Sequence, residues 1–122
     1  MTTPIYTLTT CTLSKGDLSY PLKNWQCFEI DSKDFERIML CVGALRLGRF
    51  EVTGDIVELN ASTRVACTSL GNYYELGGEL GLTPEAQKKW QTICKNKPFT
   101  GVIDVTENIQ KLMEMSRKAR AS

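Results

Sequence analysis

The pair Gly54-Asp55 stands between two runs of alternating character, Phe50-Glu51-Val52 before it and Ile56-Val57-Glu58-Leu59 after it. Alternation at period two marks extended chain, because successive side chains point to opposite faces. Glycine in first place of a two-residue connection suits a type II′ turn. In that register Val52 opposes Val57 and Phe50 opposes Leu59 on an apolar face, while Glu51 opposes Glu58 on a polar one. Turn chemistry and alternation agree, so residues 45–76 read as four consecutive antiparallel strands around which the chain is organised. The alternation changes phase between Leu47 and Phe50, which predicts a β-bulge at Gly48-Arg49. Gly71-Asn72 offers a second turn, pairing Ser69 with Tyr74 and Cys67 with Leu76.

The flanking segments supply the other elements. Residues 5–13 are threonine-rich and weakly alternating, as in an edge strand or one that meets a partner. Residues 26–30 read as a short strand, with Trp25, Cys27 or Phe28 packing inward. Ser32 is placed as a helix N-cap, with Asp34 and Glu36 in the first turn. Phe35, Ile38, Met39 and Val42 then recur at helical spacing up to Gly43. Gly77, Gly78 and Gly81 read as a flexible connection. Thr83-Pro84-Glu85 is a helix start, followed by an apolar stripe of Ala86, Trp90, Ile93 and Cys94. Residues 99–105 form a last strand, and Thr106 caps a final helix carrying Ile109, Leu112 and Met113. The expected fold is one α+β domain over residues 1–122. It is an antiparallel β-meander of about five to seven strands with two or three helices packed on one face, ending in a flexible basic tail at 116–122.

The order strand, helix, meander, helix, strand resembles, loosely, the globular core of rhabdovirus matrix proteins. The resemblance is one of element order alone. With the small size and the lack of catalytic equipment, it suits a viral or phage accessory protein.

Composition narrows the class. With 122 residues, 42% of them apolar and 24% charged, the chain has enough material for a core of its own. No apolar run approaches the ~20 residues of a membrane span, and the start lacks the pattern of a signal peptide. Five cysteines, an odd number spread along the chain, read as buried reduced thiols. Together these point to an intracellular, cytoplasmic protein.

There is no histidine, which removes Ser-His-Asp and Cys-His catalysis and histidine-ligated metals. Neither a phosphate-cradling loop nor a dinucleotide fingerprint is present. Glu51 and Glu58, as cross-strand neighbours, are the best carboxylate pair for raising a pKa, but no nucleophile accompanies them. No catalytic residue, cofactor, metal or small-molecule substrate is inferred.

Charge is more telling. Residues 1–82 carry seven Lys/Arg against ten Asp/Glu, and residues 83–122 carry eight against four. Lys88, Lys89, Lys95, Lys97, Arg117, Lys118 and Arg120 would line one surface if the two C-terminal helices lay side by side. Such a surface attracts nucleic acid or an anionic membrane. Tyr73 and Tyr74 are adjacent on a strand, so one of them should face outward and serve as an interface contact. The leading expectation is a non-enzymatic interaction or structural protein that self-associates or docks a protein partner. The alternative is a binder of nucleic acid or an anionic surface.

Overall fold

The computed structural model describes the backbone of residues 7–8 and 19–121 and the side chains of residues 19–115. Its spine is β2 (Ser19–Ser32), a strand of 14 residues bent at Asn24, whose φ is 49°. One edge of β2 is paired antiparallel with β3 (Ile38–Ala44), which pairs in turn with β4 (Phe50–Val52). The other edge is shared end to end. β7 (Tyr73–Leu76) runs parallel to the first part of β2, from Ser19↔Tyr73 to Leu22↔Leu76. β8 (Phe99–Asp104) runs antiparallel to its last part, from Phe28↔Asp104 to Ser32↔Phe99. Beyond β7 lie β6 (Val65–Thr68), β5 (Ile56–Asn60) and β1 (Thr7–Leu8). The fold is thus α+β with a mixed sheet. The antiparallel runs β2-β3-β4 and β5-β6-β7 are meanders, and the pairs β7/β2 and β1/β5 are parallel. The rest of the threonine-rich segment 5–13 lies outside the described residues.

The second part of β2 and all of β3 are buried on both faces. Cys27, Met39 and Cys41 belong to a core with Leu22, Trp25, Ile56, Leu59 and Leu76. Phe28, Ile30, Leu40 and Val42, of opposite parity, belong to a second core with Leu82, Ala86 and Trp90. A strand covered on both sides loses its polar alternation and becomes a continuous apolar run. That is why residues 38–42 read as helix in the sequence and are strand in the molecule; Ser32 ends β2 instead of capping a helix.

The two helices cover opposite faces, which corrects the expectation that they share one. α1 (Pro84–Asn96) carries Ala86 and Trp90 into the second core. α2 (Thr106–Ala121) carries Ile109 and Met113 into the first. α1 starts as its sequence indicates, with Thr83 Oγ1 accepting the Ala86 N–H at 3.2 Å. Thr106 has another role: its Oγ1 accepts the Cys27 N–H at 2.9 Å, tying the start of α2 to the spine. The backbone of 116–121 continues α2 as helix.

The hairpin expected at Gly54-Asp55 is absent. β4 pairs with β3 (Val42↔Val52, Gly43↔Glu51, Ala44↔Phe50), and β5 pairs with β6 and β1. Gly54 does not adopt the positive φ that a type II′ turn requires of it. Alternation decides which residues share a face but not which strand lies alongside. Here Phe50 and Val52 pack against the α1-side core and Ile56 and Leu59 lie in the other, so the chain passes between cores at 53–55. Nor is there a bulge at Gly48-Arg49. A 3₁₀ turn at Arg46–Gly48, with Leu47 and Gly48 in left-handed conformation, connects β3 to β4. The second hairpin forms, but in the register Cys67↔Tyr73, Ala66↔Tyr74 and Val65↔Glu75. Thr68 N–H donates to Asn72 O at 2.9 Å, making the connection longer than two residues. The glycine-rich 77–81 segment is tethered: Gly77 O accepts from Trp25 Nε1 and from an Arg64 guanidinium nitrogen, both at 2.8 Å.

Cys27 and Cys41 are direct cross-strand partners, Cα atoms 4.2 Å apart, and form a disulfide with both residues fully buried. Their backbones bond outward instead of to each other. Cys27 is held by Val105 N–H and Thr106 Oγ1, and Cys41 by the N–H and Oγ1 of Thr53. This is the narrow, non-hydrogen-bonded type of antiparallel pair. The expectation of buried reduced thiols therefore fails for these two; Cys94 is a thiol and half-buried, and Cys11 lies outside the described residues.

Candidate interaction surfaces

β8 borders β2 on one side only, among the described residues. Val105 N–H donates to Cys27 O at 2.9 Å, and the ladder alternates from there. Ile103 and Gly101 turn their backbone groups towards β2, whereas Val102 and Asp104 turn theirs outward. The strand is also apolar where it is open: Val102 is 38% exposed and Ile103 49%. An uncovered edge of this kind is a template for another strand. Next to it, the Arg37 guanidinium grips Asp31 in a bidentate pair at 2.7 and 3.0 Å, with Glu29 at 3.6 Å. That hydrogen bonding holds the Asp31 carboxyl below its usual range. The sequence hinted at this edge only through the unalternated Val102-Ile103, since openness depends on what lies beside a strand.

Lys88, Lys89, Lys95 and Lys97 are all exposed on or just beyond α1. None has an ion-pair partner among the described residues, and Lys89 places its ammonium 5.6 Å from the centre of the Phe50 ring. Arg117, Lys118 and Arg120 lie on the last turns of α2, and their side chains lie outside the described residues. The two helices sit on opposite faces of β2–β3 and are not side by side, so the geometry that would merge all seven charges is not formed.

Tyr74 is 4% exposed. Its hydroxyl donates to Glu51 Oε2 at 3.0 Å, and its ring lies 6.0 Å from that of Tyr20. Burial first, then the Glu51 carboxylate, push its phenol up to about 12. Tyr74 is therefore internal. Tyr73 is half-buried, and Tyr20, 48% exposed, is the more accessible ring. Glu51 and Glu58 are not neighbours: Glu51 stands opposite Gly43, and Glu58 opposite Cys67 and Thr7. Among the described residues no group of three or more Cys, Asp or Glu could hold a metal ion, and no helix is long and apolar enough to cross a membrane.

Compared with known proteins, the chain matches no protein-family model, no curated protein and no solved structure. The loose likeness to rhabdovirus matrix cores loses its basis as well, because the first helix in that order of elements is the strand β3.

Proposed function

We propose that this chain is a non-enzymatic interaction protein that self-associates by pairing β8 with the β8 of a second copy. The observation that carries this reading is the edge of β8 left open among the described residues, with Val102 and Ile103 exposed upon it. Two identical strands meet about a two-fold axis, which brings antiparallel strands together in a self-complementary contact. Only residues with outward backbone groups can bond across it, and Val102 is the central one. The charges suit this axis. Lys95 and Lys97 precede β8, Asp104 ends it and Glu107 stands in the first turn of α2. Antiparallel pairing about Val102 sets the basic end of each copy towards the acidic end of the other. The opposite border strand, β4, has three residues and offers less edge.

Light scattering of the full chain at high concentration should give twice the monomer mass. Val102→Lys, which sets like charges against each other on the axis, should give the monomer with its fold intact. Val102→Cys should oxidise to a dimer linked 102 to 102. A monomeric wild type, or a Val102→Lys variant of unchanged mass, would overturn the reading.

A second reading is binding of nucleic acid or an anionic surface through Lys88, Lys89, Lys95 and Lys97, with Arg117, Lys118 and Arg120 at the end of α2. Four exposed lysines without carboxylate partners among the described residues support it. Changing the four to Gln should abolish low-salt binding of an oligonucleotide; retention of that binding removes this reading. Intracellular residence belongs to the proposal too. The sparse, odd-numbered cysteines support it, and the Cys27–Cys41 bond pulls the other way.

A further inference from the structure

We infer that the turn Arg46–Gly48 and the groove beside it form a docking site for an anionic lipid bilayer. Leu47 sits at the tip of this turn, fully exposed, with φ 61° and ψ 24°. Both properties are unfavourable for leucine. Left-handed backbone crowds its β-carbon against the carbonyl that follows, and its isobutyl group meets water on every side. Glycine or asparagine would serve a plain turn better. Strain of this kind persists where the surrounding structure imposes it, and it clusters at sites of contact.

The surroundings of Leu47 are cationic. A depression of about 430 Å³ is lined by Lys23, Arg46 and Leu47. It adjoins another of about 510 Å³ lined by Phe50, Glu85 and Lys89. The two share Asn24, Ala44 and Gly48, and Arg49 follows directly in the chain. Lys23 and Arg46 thus line the same depression as the exposed aliphatic tip, Arg49 stands two residues along the chain, and Lys89 lies in the adjoining depression with Glu85. An apolar tip flanked by cations matches the layering of a bilayer surface, where acyl chains lie beneath anionic headgroups. Nucleic acid fits less well. It favours aromatic faces for stacking, and Phe50, the aromatic ring here, is half-buried with the Lys89 ammonium over it. This site is separate from the β8 edge and does not depend on self-association.

The test is sedimentation of the full chain with vesicles of phosphatidylcholine, with and without phosphatidylserine, at low salt. Binding should require phosphatidylserine and should weaken as salt is raised. Leu47→Gly and Leu47→Asn both suit the backbone at this position, so they should melt no lower than wild type yet bind about tenfold more weakly. Arg46→Gln and Arg49→Gln should each weaken binding about fivefold. Failure to bind anionic vesicles, or undiminished binding by both Leu47 variants, would overturn the inference. So would saturation by soluble glycerophosphoserine alone, which would make the site a headgroup pocket. Stronger binding of an RNA oligonucleotide that is indifferent to residue 47 would overturn it in favour of nucleic acid.

Discussion

The Tyr74 hydroxyl donates to Glu51 Oε2 at 3.0 Å, joining β7 to β4 although the two strands share no ladder. The bond fastens the β5-β6-β7 run to the β2-β3-β4 run at a point where neither backbone can. Glu51, with alternation suggesting a cross-strand carboxylate neighbour, has a phenol instead.

This bond makes stability sensitive to alkali. The folded Tyr74 phenol titrates at about 12, above the ~10 of an unfolded tyrosine. The unfolded chain therefore loses its proton first, and the stabilisation is complete below about pH 10 and declines as pH rises from there towards 12. Tyr74→Phe should lower unfolding free energy by about 1–2 kcal/mol and flatten the alkaline decline. Denaturant melts across this range, with tyrosinate absorbance, would check both effects.

The Cys27–Cys41 disulfide closes a loop across 14 residues of sequence inside the first core. Loop closure of this length contributes about 3 kcal/mol. The double variant Cys27→Ala, Cys41→Ala should lose about that much in urea melts. Peptides carrying Cys27 and Cys41 should resist alkylation in denaturant until a reductant is added. Labelling of both without reductant would show that the bond is not made.

Gly43 lies where β3 passes the bend of β2. A β-carbon there would stand 2.9 Å from Leu22 Cγ and 2.9 Å from the Lys23 carbonyl oxygen. The leucine could shift, but a backbone oxygen held in a sheet cannot, so Gly43→Ala should cost about 1–3 kcal/mol. Gly54→Ala is the control. Its β-carbon would meet Thr68 at an ordinary 3.7 Å, and stability should stay within about 0.5 kcal/mol of wild type. Equal melting of the two variants would contradict the close approach at Gly43.

Part of this architecture was legible in the sequence for local reasons. Thr83-Pro84 marks the start of α1 because a cap and a preset φ act within a few residues. Ile109 and Met113 face the core because helical spacing places them on one side. The roles of Glu51 and Val102 depend on partners distant in sequence, so local alternation does not reveal them. Exposure of the α1 lysines was readable, whereas their separation from the end of α2 was not, since the sheet between the helices decides it.

The sequence by itself determined which residues are apolar and that α1, α2 and β5 to β8 form near their expected places. Only the tertiary structure decided that residues 38–42 are strand, that β4 and β5 part company, and that Cys27 meets Cys41. The physical reason is common to all three. Periodicity records how many sides of an element are covered, so a strand covered on both faces and a helix covered on one can present the same apolar residues. Which strand lies alongside which is settled when distant segments bury those residues together, and β2, reached by β3, β7 and β8 from three parts of the chain, is where that choice is made.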